Sequence, residues 1–231
     1  MTKHKDDAKL KAVLVDIDGT LIDSNDAHAR AWQQVLALHG HEFMFETVRP
    51  LIGMGGDKLL EHLLGIDGKS DRAEMLSAER QQHFLQRELH GLHPTRGARD
   101  LLMGLRDAGL QVVVATAANT EETGALLHQA GVDDLIAHAA SSADAEESKP
   151  EPDIVLASLR KAGTKPSEAI MLGDTPYDVA AARRAGVGSV ILRCGGWWND
   201  DALAGALALY KDPAQLLQEL QESPFRRRLP A

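Results

Sequence analysis

"KAVLVDIDGTLIDS", running from Lys11 to Ser24, decides how this chain is read. An apolar run, Ala12 to Val15, leads straight into Asp16-Ile17-Asp18-Gly19-Thr20. An unbroken apolar run of this length reads as a strand buried on both faces. Ending such a strand on two carboxylates is expensive unless something positive meets them. A glycine and a hydroxyl follow, residue types that let backbone turn closely around an anion and donate to it. On an extended strand the spacing of Asp16 and Asp18 points both to one face. Alone, the pair also fits a plain Asp-Gly turn at a strand end.

From Arg96 onward, short β-branched runs alternate with helical stretches. "QVVVAT" (Gln111 to Thr116), the weaker "LIAHAA", "AIMLGD" (Ala169 to Asp174) and "SVILRC" (Ser189 to Cys194) read as strands. Ala98, Leu101, Leu102, Leu105 and Ala108 follow helical spacing between them. Gly109, Gly131, Gly163 and Gly186 stand where left-handed helix caps occur, and Pro152 and Pro176 where first-turn prolines are tolerated. The pattern predicts an α/β fold, a Rossmann-like parallel sheet flanked by helices. The stretch from about Asp23 to His93 differs, with helical patterns and no convincing strand. Ala27, Ala31, Val35 and Leu38 line one helix face, and Lys58 to Leu64 and Ser70 to Leu89 read as two more helices. The expected organisation is a core of residues 1–22 and 94–231, interrupted by an all-helical domain at 23–93. Hinges are expected just after Thr20 and near His93 to Gly97.

Composition narrows the function. Formal charge is -9, which argues against nonspecific binding to nucleic acid or to an anionic membrane, though not against a small anionic substrate. The single cysteine, Cys194, excludes an internal disulfide and suits a reducing compartment. No apolar run approaches the roughly 18 residues of a membrane span, and "MTKHKDDAKLK" carries no apolar signal region. A soluble, cytoplasmic protein is expected, with "RRR" at Arg226 to Arg228 in a solvated tail; nothing in the sequence chooses between monomer and dimer.

In open parallel sheets, ligands bind at the carboxyl ends of the strands. Asp16, Thr116 and Asp174 each end an apolar run, so they are expected at one edge. Asp174 and Asp178 lie four apart in "GDTPYD", across the start of a helix. Several carboxylates converging on one point call for a hard cation, with Mg²⁺ the default. Lys149, in "SKPEPD", supplies a fixed positive charge, Thr116 a hydroxyl donor, and backbone N–H groups near Gly19 and after Thr116 further anion donors.

The constellation resembles the haloacid dehalogenase superfamily of phosphatases and phosphomutases. Its first motif, DxDGT, matches Asp16 to Thr20; its second, a Thr or Ser closing a strand, Thr116; its third, Lys149-Pro150; its fourth, GDxxxD, Gly173-Asp174 through Asp178. The resemblance implies that Asp16 is the nucleophile and Asp18 the acid and base. It implies Mg²⁺ held by Asp16, the Asp18 backbone carbonyl and Asp174, with Asp178 in direct or water-mediated support. Lys149 would keep Asp16 ionised, and Thr116 with backbone amides would bind phosphoryl oxygens, with Gly19 and Asn119 beside them. About 30 residues separate Thr116 from Lys149, and a helix and a strand fill that gap, so no second cap is expected. The insertion after the first motif matches the family's helical cap class, in which the cap selects substrate. The branch implied is that of phosphoglycolate phosphatases and β-phosphoglucomutases, and the partner a small phosphorylated metabolite.

Each assignment has a plainer rival. Thr116 could make only a local strand-end bond, Lys149 could be a surface lysine, and Asp178 could serve the dipole of its helix. In "RPLIGMGGDKLL", Gly53, Gly55 and Gly56 would let backbone approach a ligand or simply make a turn, and Lys58 could reach a substrate anion or sit in solvent. His28, in a phrase similar to the "HxxAW" of β-phosphoglucomutases, would face the site or the surface. Trp197 and Trp198 suggest packing or a partner contact. A phosphatase is the leading expectation, a sugar phosphomutase its competitor, and a phosphate-ligand binding protein without catalysis the non-enzyme alternative. Thr20 and Gly173-Asp174 disfavour the mutase, which often carries an apolar residue and Glu-Asp at those places.

Overall fold

In the computed structural model, which describes residues 9–225, six parallel strands form one sheet. The Arg226–Arg228 run and residues 1–8 lie outside the described residues. The strands are β1 (Ala12–Val15), β2 (Gln111–Ala115), β3 (His138–Ala140), β4 (Ala169–Gly173), β5 (Gly188–Leu192) and β6 (Ala208–Tyr210), in the order β3-β2-β1-β4-β5-β6. β1 therefore sits in the middle, and the order reverses beside it, the place where open α/β sheets leave a crevice. Val15 pairs with Val114 on one side and Leu172 on the other. That register puts Asp16, Thr116 and Asp174 within a residue of the same level at the carboxyl edge.

The helical insertion comprises α1 (Asn25–Leu38), the single turn α2 (Phe45–Val48), α3 (Gly56–Leu64) and α4 (Asp71–His83). The core helices are α5 (Ala98–Asp107), α6 (Thr120–Gln129), α7 (Asp153–Ala162), α8 (Pro176–Arg184) and α9 (Pro213–Gln218). Alternate residues of the strands feed opposite faces, as the pleat requires. Val13, Val15, Val112 and Val114 pack with Leu101, Leu105, Leu126 and Leu216 of α5, α6 and α9. Ala12, Leu14, Val113 and Met171 pack with Ile154, Val155 and Ala181 of α7 and α8. The insertion has an apolar cluster of its own around Trp32, Leu36, Val48, Leu59, Leu60 and Leu76. Its two connections to the core run side by side: Asp23 N–H donates to His93 O at 3.0 Å and Thr95 N–H to Leu21 O at 3.0 Å.

Several local expectations change. Leu38 is 78% exposed, because it ends α1 just where the chain turns away through His39 and Gly40. The helix expected over Ser70 to Leu89 is α-helical only to His83; Phe84–Glu88 forms a π turn and Leu89–Gly91 a 3-10 turn. The wider turn sets the fully buried Phe84 flat on the His28 ring, centroid to centroid 3.9 Å. The β5 run stops at Leu192, and Arg193–Gly195 turns instead. Pro152 caps α7 rather than opening its first turn, whereas Pro176 does stand in the first turn of α8. Edge strand β6 went unread, since three residues inside "ALALYKD" carry no strand period. Among the described residues no helix is long and apolar enough to cross a membrane.

Candidate active site

Asp16 leaves β1 buried, and its Oδ1 accepts from Lys149 Nζ at 2.5 Å. The same Nζ donates to Asp178 Oδ1 at 2.7 Å. Lys149 is 1% exposed, so this is a buried cation shared by two carboxylates and not a surface lysine. Asp178 Oδ2 accepts from Thr175 Oγ1 at 2.6 Å and Thr175 N–H at 3.0 Å, while Thr175 Oγ1 accepts from the Asp178 N–H. This reciprocal cap starts α8, so Asp178 serves its helix and the lysine together.

Asp174, one residue past β4, accepts from Asn25 Nδ2 at 2.7 Å and Thr20 Oγ1 at 3.4 Å. Gly19 has a φ of +71°, and a Cβ there would overlap the Asp174 carboxylate. Only glycine lets the backbone pass so close.

Asp16, Asp174 and Asp178 bring one oxygen each within 4.8 Å of one another. Burial above all, then the neighbouring Asp178 and Asp18 carboxylates, push Asp16 up to about 8 against the pull of Lys149, so the lysine alone does not keep Asp16 ionised as the resemblance implies. Burial, then Asp178 and Asp16, also hold Asp174 well above the ordinary range. Burial opposes the charge on Lys149, but Asp16 and Asp178 outweigh it and raise its pKa. One lysine among three buried carboxylates leaves excess negative charge, and the donors are all oxygen. That set fits a hard divalent cation such as Mg²⁺.

Asp18 lies outside that trio. Its Oδ1 accepts from Ser24 Oγ at 2.5 Å and faces His28 Nε2 at 2.7 Å. Burial raises its pKa, but His28 and Ser24 outweigh burial and the net direction is down. Two aspartates two residues apart thus occupy opposite environments, the kind of separation that assigns different roles to paired carboxyls. Behind His28, Arg80 of α4 donates to Glu122 Oε1 at 2.8 Å and lies 3.3 Å from His28 Nδ1. His28 thus faces Asp18 through Nε2, while its Nδ1 lies between Arg80 and Glu122 Oε1, the latter at 3.7 Å. Thr116 is buried, its Oγ1 accepts from Ala118 N–H at 3.1 Å, and its own proton remains to donate.

Between core and insertion lies a cavity of about 60 Å³, lined among others by Asp16, Asp18, His28, Gly55, Arg80 and Thr116. At Gly55 the insertion lies close against the core, and a Cβ there would overlap Ser148. Of the residues singled out in the sequence, Gly19, Lys149, Asp174 and Asp178 surround Asp16 without lining this cavity, and Asn119 and Lys58 stand apart from both. Asn119 caps α6 by accepting from Glu122 N–H at 3.0 Å, and its Nδ2 donates to Gln81 across the interface. Lys58 reaches Glu147 at 2.7 Å on the outer rim instead of the carboxylates. The loop tryptophans pack: Trp197 meets Phe45 edge-on and lies under Arg49, and Trp198 meets Tyr177 edge-on. Ser24, Asn25, Arg80 and Glu122 were not anticipated; the one available signal was Ser24 and His28 four apart at a helix start.

Over residues 10–186 the chain matches the haloacid dehalogenase-like hydrolases. A phosphoglycolate phosphatase from Rhodospirillum rubrum is 30% identical over 214 residues, covering 89% of this chain and 89% of the relative. The pyrophosphatase PpaX of Bacillus velezensis is 33% identical over 183 residues, covering 78% and 82%. Among solved structures, a hydrolase from Pseudomonas syringae superposes with a TM-score of 0.84 at 31% identity, over 92% of this chain and 98% of the other. This chain belongs to the haloacid dehalogenase-like hydrolases.

Proposed function

We propose that the protein is a Mg²⁺-dependent phosphatase that hydrolyses a small phosphorylated metabolite through an aspartyl phosphate on Asp16. The observation that carries this is the pairing of Asp16, held by Lys149 beside two further carboxylates, with Asp18, held separately by Ser24 and His28. Asp16, whose Oδ1 accepts from Lys149, attacks phosphorus, and the bond to the leaving oxygen breaks with its electron pair. Asp18 delivers the proton that oxygen needs. The arriving phosphate charge beside Asp18 favours its protonated form at that moment. In the second half, Asp18 takes a proton from water attacking phosphorus, and the Asp16 carboxylate is released. Lys149 keeps Asp16 oriented, and Thr116 Oγ1–H and the backbone N–H groups beside it donate to phosphoryl oxygens.

Asp16, Asp174 and the Asp18 carbonyl are the proposed ligands of Mg²⁺, which when bound offsets the repulsion between Asp16 and the phosphate. Asp178 supports that group from behind through Lys149 and the Asp174 loop. We further propose that residues 23–93 act as a cap hinged where residues 21–23 and 93–95 pair, and that the protein works in the cytoplasm, consistent with its lone cysteine.

The test is phosphate release from p-nitrophenyl phosphate with Mg²⁺ and with EDTA, following β-glucose 1-phosphate isomerisation in the same samples. Release that stops in EDTA is expected. Isomerisation without release would replace this reading with the mutase, and neither activity would sink both.

A further inference from the structure

The cavity over Asp16 and Asp18, at about 60 Å³, holds no more than a few waters. The space directly over the two carboxylates suits a phosphoryl group, and the leaving group extends beyond it. A groove of about 460 Å³ adjoins it along the seam between insertion and core, sharing Gly56, Arg80 and Ala117 as walls.

The charges of this path are one-sided. Its cations, Arg80 and Lys69, are already committed, Arg80 to Glu122 at 2.8 Å and Lys69 to Glu147 at 2.7 Å. The groove's carboxylates Asp57, Glu74 and Glu146 have no salt-bridge partner among the described residues. Lys69 shares Glu147 with Lys58 and also feels Glu146, yet carboxylates outnumber cations along the groove, so an incoming carboxylate or second phosphate would meet net negative charge. Its other polar walls include Ser77, Gln81, Ser142 and Ser148, which suit hydroxyls.

A second observation agrees. Glu122 is 1% exposed and lines the catalytic cavity, yet its Oε2 has no hydrogen-bond partner, and neither has the Nε of Arg80. A buried acceptor and a buried donor are thus left over in this ion pair, and hydroxyls can serve either, since they donate and accept. A carboxylate cannot satisfy Glu122.

Building on the phosphatase reading, we propose that the leaving group is polyhydroxylated and neutral or amine-bearing. Glu122 with Arg80, and the groove carboxylates, would act as its specificity determinants against substrates carrying a second anionic group.

Three hexose-derived monophosphates of matched size separate the cases: glucosamine 6-phosphate, glucose 6-phosphate and 6-phosphogluconate, with p-nitrophenyl phosphate as reference. At low salt, kcat/KM should fall in that order, with roughly threefold per step, the scale of a partly exposed charge interaction. The double variant Glu74→Gln/Glu146→Gln should bring the amine-to-carboxylate ratio toward one, each rate taken relative to p-nitrophenyl phosphate. Glu122→Gln, which frees Arg80, should shift the ratio toward 6-phosphogluconate, measured relative to the reference. Equal or faster turnover of 6-phosphogluconate by the unmodified protein, phosphoglycolate outpacing all three sugars, or a ratio untouched by the variants would overturn the proposal. So would turnover of the reference with none of the sugars. Failure on the reference as well would strike the phosphatase reading itself, and this proposal with it.

Discussion

Replacing Asp16 with asparagine should abolish turnover and, without metal, make the protein more stable. Asp16 in the fold titrates at about 8 against an ordinary 3.8, so between those values the folded state holds a proton that the unfolded state releases. For a group raised in this way, stability is greatest below about pH 4 and drains away as pH rises toward 8. At pH 7 the loss from Asp16 alone would be about 4 kcal/mol. Asp174 competes for the same proton, so about half, roughly 2 kcal/mol, is the expected share of Asp16. Asparagine keeps an oxygen for Lys149 Nζ and removes the charge, so it recovers that share. For a chain of this size the gain corresponds to about 4–8 °C in Tm. Thermal unfolding in EDTA at pH 7 and pH 5, followed by circular dichroism, measures it. The gain should shrink to roughly a third at pH 5, which lies much closer to the unfolded carboxyl's 3.8, so keeping the proton in the fold costs less. Saturating Mg²⁺ should reverse the order of the two proteins. A lower Tm for Asp16→Asn in EDTA at pH 7, or a gain indifferent to pH, would refute the charge-crowding argument.

Lys149→Met should cost about 3–5 kcal/mol in metal-free protein, since it strands two buried carboxylates, and thermal unfolding should show Mg²⁺ recovering part of the loss. Gly19→Ala should weaken Mg²⁺ binding at least tenfold by calorimetry, because the new methyl displaces the Asp174 carboxylate while most of the core is left intact. His28→Gln removes the main influence lowering the Asp18 pKa, so the Asp18-dependent acidic limb of the pH–rate profile should move to higher pH. An unmoved limb would separate His28 from the acid–base step.

What could be read from sequence is what the strand pattern carries. β1, β2 and β4 are buried on both faces, so each shows as an unbroken apolar run, and the residue ending each run lands at the reactive edge. Asp16, Thr116 and Asp174 were legible for that reason. Lys149 was legible as a charge beside a proline, but its sharing between Asp16 and Asp178 depends on the crossing of two loops. Arg80 and Glu122 belong to helices 42 residues apart in sequence, and no local pattern marks two ordinary helical charges as a buried pair. The π turn at Phe84–Glu88 was invisible because its residues continue a helical period while the backbone ring widens. β6 was missed because an edge strand of three residues needs no pattern of its own.

The central place of β1 also governs how the molecule comes into being. Its two neighbours start 99 and 157 residues further along the chain, at Gln111 and Ala169, from the Ala12 they pair with. The strand made first must therefore wait for both flanks during synthesis, and contacts of such long range form slowly. Asp174 and Asp178 emerge last among the acidic trio. A nascent chain accordingly carries Asp16 for most of its elongation with neither of them beside it. The crowded carboxylates meet only when the sheet that confines them is nearly complete.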